Sequence, residues 1–588
     1  MILQELTAYY QVLRAKGKIS LPGWSSAKVP YALQLSPQGS LTDILTLKYL
    51  PEGAKKEIPQ SFSVPEQVKR SVGIISNFLC DSSSYLLGID AKGKPERSKK
   101  CFAAAKDLHH AVLDGVESPA AKAVLAFFDT WQPETAAENS VLAPKLEEIL
   151  SGVNLIFRVG SAYAQDDTAI AQAWENSRKA SSSGKKTGRC LVTGRRVPIA
   201  RLHPSIKGVK GAQSSGASLV SFNADAFESF GHERGDDTGQ GYNAPVSEDA
   251  AFAYTTALNH LLADRKHVQH IADTTVVYWA EDASAGSQDL FGAAAFGMED
   301  KTITQGDMKS AIDALAQGRP YNVNGLPLNP ENHFYVLGLA PSAARLSVRF
   351  FLQDTFGNML KNLQEHYNRL EIEKPSFETH PVLSLWWLLN ETANQKSQDK
   401  APPAPMSGAV LRAILTNTPY PSSLFEAVML RIRAEQDIGW RKAAILKAYF
   451  LKNKSIYVPE EVLKVKLDEQ SNYTPYVLGR LFAVLEKIQT DATPGINTTI
   501  RDRYFNSACA TPAAIFPLLI NLSQHHQRKL AEGSRIYYDK MITELESRIQ
   551  QTLPSRMNLQ EQGAFHLGYY HQKQALYTKK NKGDSDNG

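Results

Sequence analysis

Between Asn176 and Ala224 the chain carries ten Lys or Arg residues and no Asp or Glu. The cations run from Arg178 and Lys179 through Lys185, Lys186, Arg189, Arg195, Arg196 and Arg201 to Lys207 and Lys210. Between them lie Ser181-Ser182-Ser183-Gly184 and Gly211-Ala212-Gln213-Ser214-Ser215-Gly216. Unpaired charges are costly to bury. A glycine-bearing, one-sign segment of this kind is therefore expected as a flexible loop and not as core. Its charge suits a phosphate backbone, because Lys and Arg release condensed counterions and Gly permits close approach. The whole chain has a net charge of only +5, while this window alone holds +10, so the remainder is net acidic.

The rest of the composition excludes several classes. A chain of 588 residues is long enough for several domains. A 43% hydrophobic and 21% charged composition excludes a mostly disordered protein. Mean hydropathy is -0.30, and no apolar run reaches the ~18 residues of a membrane span, so no membrane is expected among the partners. The opening Met1-Ile2-Leu3-Gln4-Glu5-Leu6 lacks the basic start and apolar run of a signal peptide. Four cysteines, Cys80, Cys101, Cys190 and Cys509, stand far apart with no CxxC pair. A disulfide framework or cysteine zinc site is not expected; a reducing cytoplasm is.

Hydrophobic periodicity predicts an α+β chain: a mixed N-terminal body with antiparallel sheet elements, then a C-terminal α-helical bundle. Residues 1–22 read as a helix and 29–50 as a hairpin turning at Ser36-Pro37-Gln38-Gly39. Residues 72–90 read as strand, polar turn, strand. Helical patterning covers 101–150. A helix at 248–262 precedes strands at 274–279 and 334–339. Residues 343–370 read as one long helix, and 391–405 as a linker. Three domains follow: 1–170, an α+β domain; 171–395, a mixed domain with the basic loop 176–224; and 406–588, a helical bundle.

Several segments imitate catalytic motifs but lack a required residue. Ser183-Gly184-Lys185-Lys186 imitates a phosphate loop, but Lys179 stands where the first glycine is needed and Lys186 where Ser or Thr is needed. Ser214-Ser215 lacks the GxSxG elbow. His109-His110 reads as an ordinary helix surface. Cys190 has basic neighbours that would lower its pKa but no partner base. His203 reads as structural or as a phosphate contact. Trp386-Trp387 reads as core in preference to a base-stacking shelf. His260, Asp264, His267 and His270 have spacings that would place several on one helix face, as metal ligands require. A metal-dependent nuclease using His260, His267 and His270 is thus the alternative from the enzyme class. No cofactor is expected.

Several blocks carry a resemblance. They are Met1–Leu6 with Tyr9-Tyr10; Ser71-Val72-Gly73-Ile74 through Asn77-Phe78-Leu79 with Tyr85–Asp90; and Val277-Tyr278-Trp279-Ala280-Glu281 with Leu337–Pro341 and Ala344–Arg349. The strongest is Cys190-Leu191-Val192-Thr193-Gly194, Arg201-Leu202-His203-Pro204, Lys210–Ala217 and Ser221-Phe222-Asn223. In order and over essentially the whole chain, these resemble the large subunit of the type I-C CRISPR Cascade surveillance complex.

The resemblance implies a non-catalytic subunit of a crRNA-guided complex in antiviral defence. It would recognise a protospacer-adjacent motif (PAM) in double-stranded target DNA, help to open the duplex and stabilise the R-loop, and recruit a helicase-nuclease in trans. Implied partners are crRNA, target DNA and its displaced strand, the Cascade backbone and crRNA-processing subunits, and a helical small subunit like the region beyond about residue 460. For the adjacent motif, Ser76, Asn77 and Phe78 are the candidates, with Lys69 and Arg70 on nearby phosphates. Lys207, Lys210, Gln213, Ser214 and Ser215 would grip backbone, with Ser215-Gly216 allowing close approach. Arg195 and Arg196 would meet guide or displaced strand. Arg501, Arg503 and Lys529 are further candidates for the displaced strand.

Overall fold

The computed structural model describes residues 2–19, 21–50, 56–67, 73–91, 94–181, 186–222, 224–229, 239–297, 305–323, 326–378, 383–394, 396–397, 401–549 and 552–578. Contacts divide the chain into two compact units: Met1–Pro204 with Val220–Leu258, and Ser205–Leu219 with Asn259–Gly588. The fold is mixed α and β, with antiparallel sheets before about residue 355 and helices dominating after it.

In the first unit, Leu6, Tyr9, Tyr10 and Leu13 recur at helical spacing, and the helix Ile2–Ala15 buries all four. The hairpin forms where the turn residues place it, pairing Tyr31–Leu35 antiparallel with Leu41–Thr46. The Ser36 hydroxyl accepts the amides of Gln38 and Ser40 at 3.2 and 3.1 Å, which closes the turn. Tyr31–Leu35 also runs parallel to Leu155–Val159, and Cys80–Asp81 edges that strand. A separate antiparallel sheet joins Trp24–Val29, Ile58–Pro65 and Lys48–Tyr49. The helices Pro95–Leu113 and Pro119–Thr130 bring Phe102, Phe127 and Phe128 into one aromatic core, where the last two meet Phe157 from the sheet.

Residues 73–90 are not the expected strand, turn and strand. Only Cys80–Asp81 is a strand, and Ser83–Leu86 is a short helix. The Asp81 carboxylate explains the difference: it accepts the Asn77 amide at 2.8 Å and the Ser82 amide at 2.7 Å, curling the chain around itself. Leu79 sits at φ 57 in the left-handed region that a leucine rarely adopts. Its amide is held there by His109 Nε2 at 3.0 Å.

In the second unit, a four-stranded antiparallel sheet has the order Val268–Ile271, Thr274–Ala280, His333–Ser342, Arg345–Thr355. The long helix expected over 343–370 is instead the strand Arg345–Thr355 followed by the helix Phe356–Leu370. Leu346 and Phe350 stand four apart and fit either period, Leu352 continues only the two-residue one, and pairing with His333–Ser342 selects the extended form. Thr355 then caps the helix by accepting the Asn358 amide. Of the expected linker, the described residues lie outside helices and strands until the helix Ala404–Leu415 begins; 395 and 398–400 lie outside the described residues.

The helices expected beyond 406 are present. Two of them, Thr474–Ala492 and Leu559–Tyr577, cross in direct backbone contact at Gly479 and Gly568. Around that crossing Tyr476, Phe482, Phe565 and Tyr569 are fully buried. Burying such side chains stabilises by roughly 1.5–3 kcal/mol each.

Candidate nucleic-acid interface

Five of the expected contact residues share one loop of the second unit. Ile206 and Ala217 exchange both main-chain hydrogen bonds at 2.8 Å, drawing the loop's ends together. Their side chains and that of Val209 are buried. The result is a compact closed loop, anchored rather than free. Elsewhere in the basic window Cys190, Ile199 and Ala200 are also buried. The expectation that this segment adds nothing to a core is therefore corrected: its spaced apolar residues pin it, while Lys186, Arg189, Arg195, Arg196, Arg201, Lys207 and Lys210 stay exposed.

Lys207, Lys210, Gln213, Ser214 and Ser215 are all exposed on this loop. Among the described residues, their side chains have no hydrogen-bond or ion-pair partner. Two cations, an amide and two hydroxyls thus stand open to solvent, the set that phosphate oxygens accept from. The backbone beneath is tied. The Lys207 amide donates to Asn259 Oδ1 at 2.8 Å, and the Lys210 amide to Thr275 Oγ1 at 3.1 Å. Gly216 stands at φ +99, and a Cβ there would meet Ser205 Cβ at 2.7 Å and the Ile206 carbonyl oxygen at 2.9 Å. Its missing side chain is what lets the loop close. Elsewhere on this unit an open groove of about 360 Å³ is lined by Arg349 and Arg412 beside Thr274 and Gly408, but Arg349 is paired with Asp273 at 2.6 Å and Arg412 donates to the Arg349 carbonyl at 3.1 Å.

Arg195 and Arg196 are exposed in the first unit, on the hairpin of Thr187–Arg189 and Arg196–Pro198. Cys190 begins its turn, and the Ser247 amide donates to Cys190 Sγ at 3.2 Å. Burial would raise the thiol's pKa, but hydrogen bonds from Ser247 and Thr193 outweigh it and bring the value to about 7. The expected cause, basic neighbours, is not the operative one, and at 1% exposure the sulfur is out of reach of a substrate. His203 Nδ1 lies 2.7 Å from the Tyr254 hydroxyl, and burial lowers its pKa to about 4. It is neutral near pH 7 and no phosphate cation.

Ser76, Asn77 and Phe78 are 8%, 6% and 1% exposed. Phe78 stacks on Trp174 with ring centroids 5.1 Å apart. The three side chains therefore shape the turn from inside; the exposed apolar residue beside them is Ile75. Lys69 and Arg70 lie outside the described residues. His109, expected on a helix surface, is fully buried beneath this turn, with Nδ1 2.7 Å from the Ala105 carbonyl. Burial lowers its pKa to about 4. In the helical region Arg503 and Lys529 are exposed, while Arg501 pairs with Asp437 at 3.4 Å and Glu486 at 3.7 Å. Trp387 packs partly into the core as expected, but Trp386 is 58% exposed.

The histidine cluster does not form a metal site. The helix Glu248–Ala263 ends before Asp264, and His270 lies on the strand Val268–Ile271, so no helix face holds them together. His267 lies between two carboxylates, with Nδ1 2.6 Å from Asp264 and Nε2 2.7 Å from Asp289. Both ring nitrogens are taken, and Lys266 adds a cation 2.7 Å from Asp289. Among the described residues no group of three or more His, Cys, Asp or Glu is arranged to hold a metal ion. The nuclease alternative loses its site. Also among the described residues, no helix is long and apolar enough to cross a membrane.

Sequence reasoning missed Asn259 and Thr275. Nothing in their neighbourhood marks them, because only the tertiary fold brings them under the loop. Comparison with known proteins adds one match: the family model for CRISPR-associated protein (Cas_Csd1) matches residues 6–577. No curated protein matches the chain.

Proposed function

The chain belongs to the Cas_Csd1 family of CRISPR-associated proteins, and on that premise we propose that it is the non-catalytic large subunit of a type I-C Cascade complex, checking the protospacer-adjacent motif in duplex DNA. The single observation that carries the reading is the loop Ser205–Leu219, whose backbone is tied down while Lys207, Lys210, Gln213, Ser214 and Ser215 stand exposed. Cations on a fixed backbone supply non-specific affinity and register. Arg195 and Arg196 add cations of the first unit for guide or displaced strand. The turn around Ser76, Asn77 and Phe78 serves motif discrimination through its shape, which the buried side chains maintain. Pairing with crRNA reads the target, and a helicase-nuclease recruited in trans performs cleavage.

The test is a salt titration of duplex binding by the assembled complex. Replacing Lys207 and Lys210 with Ala should weaken binding and flatten the logarithmic salt dependence by ~1 per lost phosphate contact. An unchanged affinity and slope would sink the reading. In a library of adjacent motifs, Asn77→Ala should narrow the preference for the right motif over wrong ones; intact discrimination would remove the turn from motif reading. Labelled DNA incubated with the chain and Mg²⁺ or Mn²⁺ should stay uncut.

A further inference from the structure

The lysines proposed to hold phosphates are the same residues whose backbone amides are caught from below, each by a different structural element. Asn259, near the end of the helix Glu248–Ala263, acts twice: Oδ1 accepts the Lys207 amide at 2.8 Å, and Nδ2 donates to the Ser205 carbonyl at 3.1 Å. One side chain thus spans the residues on both sides of Ile206, as a neighbouring strand would. Thr275, on the strand Thr274–Ala280, accepts the Lys210 amide on Oγ1 at 3.1 Å. It is fully buried. Its own hydroxyl hydrogen then needs an acceptor, and His270 Nδ1 lies 3.4 Å away on the paired strand. That arrangement suits a neutral His270 with its proton on Nε2. Burial, and then the Lys210 charge, lower the His270 pKa and favour that form.

We propose that Asn259 and Thr275 are positioning residues that fix the register of Lys207 and Lys210 for phosphate contact. The inference rests on the reading of this loop as a DNA grip. Pre-organisation raises affinity by removing the ordering cost at the moment of binding. Without the Thr275 hydroxyl the Lys210 amide loses its acceptor, and the loop must sample other conformations before both ammonium groups can meet a backbone. The number of cations does not change. Losing position and losing charge therefore have different signatures: the first lowers affinity at every salt concentration with the slope kept, while the second lowers the slope.

The experiment measures binding of a fluorescein-labelled DNA duplex to the full-length chain across a salt series, with Thr275→Val, Thr275→Ser, Asn259→Ala and the Lys207→Ala/Lys210→Ala double variant. Thr275→Val should weaken binding about five- to tenfold, the worth of one lost hydrogen bond, and Asn259→Ala, which loses two, at least as much, both with the parent's salt slope and melting profile. Thr275→Ser, which keeps the hydroxyl, should bind like the parent. If the lysine variant loses affinity and slope while Thr275→Val and Asn259→Ala bind like the parent, positioning is wrong and the DNA reading stands. If the lysine variant itself binds like the parent, the DNA reading fails. Equal loss in Thr275→Ser and Thr275→Val, or a lowered melting profile in both Thr275→Val and Asn259→Ala, would also overturn the proposal by making the role merely structural.

Discussion

Gly568→Ala sets two effects of opposite sign against each other. In a helix interior, replacing Gly with Ala should stabilise by ~1 kcal/mol through backbone entropy. At this crossing the added Cβ would lie 2.1 Å from the Tyr476 carbonyl oxygen, about 1.3 Å short of ordinary contact. The facing Gly479 is tighter still, at 1.9 Å from the Phe565 carbonyl oxygen. A backbone carbonyl inside a helix has no rotamer to escape into, so the helices Thr474–Ala492 and Leu559–Tyr577 must part. A gap of 0.5–1 Å forfeits roughly a quarter to a half of the dispersion well for each contact it opens. Fully buried Tyr476, Phe482, Phe565 and Tyr569 all lie around that contact. Overpacking costs about 1–3 kcal/mol, and more where nothing yields; a net loss of ~2 kcal/mol is expected. Gly533→Ala is the reference, because a Cβ at that exposed position meets nothing within 4 Å. Urea unfolding followed by far-UV circular dichroism should place Gly568→Ala below the parent and Gly533→Ala at or above it. A Gly568→Ala midpoint equal to that of Gly533→Ala would refute the backbone-contact argument.

Two histidines give pH effects of opposite direction. The folded chain holds His109 neutral, with a pKa of about 4 against an ordinary 6.5, so its contribution is whole above pH 6.5 and is lost as pH falls from there towards 4, by up to ~3 kcal/mol. His109→Gln should reduce the drop in urea midpoint between neutral and mildly acid buffer, and an undiminished drop would count against it. His267 is the reverse case. Burial opposes its charge, but hydrogen bonds to Asp289 and Asp264 prevail and raise its pKa. Its contribution is whole below pH 6.5 and fades as pH rises through the raised value, with Lys266 on Asp289 as the competing cation. His267→Gln should therefore cost more stability in mildly acid than in alkaline buffer; equal cost at both would contradict the paired geometry.

Much of the fold was legible because local signals agreed with tertiary ones. Ser36 through Gly39 marked a real hairpin turn, and the apolar run at 334–339 marked a central strand. Errors arose where one pattern served two structures. Leu346 and Phe350 fit a helix as well as a strand, and the pairing partner decides. Asp81 bent residues 73–90 through bonds to amides that no periodicity reveals. The helix ending at Ala263 dispersed a histidine cluster that looked coherent along the chain. At the candidate site the cations were visible as composition. Their anchoring through Ile206, Val209, Asn259 and Thr275 was not, since it depends on which distant side chains lie beneath each amide.

The central claim is that the loop Ser205–Leu219 touches target DNA in the assembled complex. Formaldehyde cross-linking of that complex to target duplex, followed by mass spectrometry of nucleotide-bearing peptides, tests it most directly. The account predicts adducts on Lys207 and Lys210. Adducts elsewhere on the chain, with both of these lysines unmodified, would contradict it.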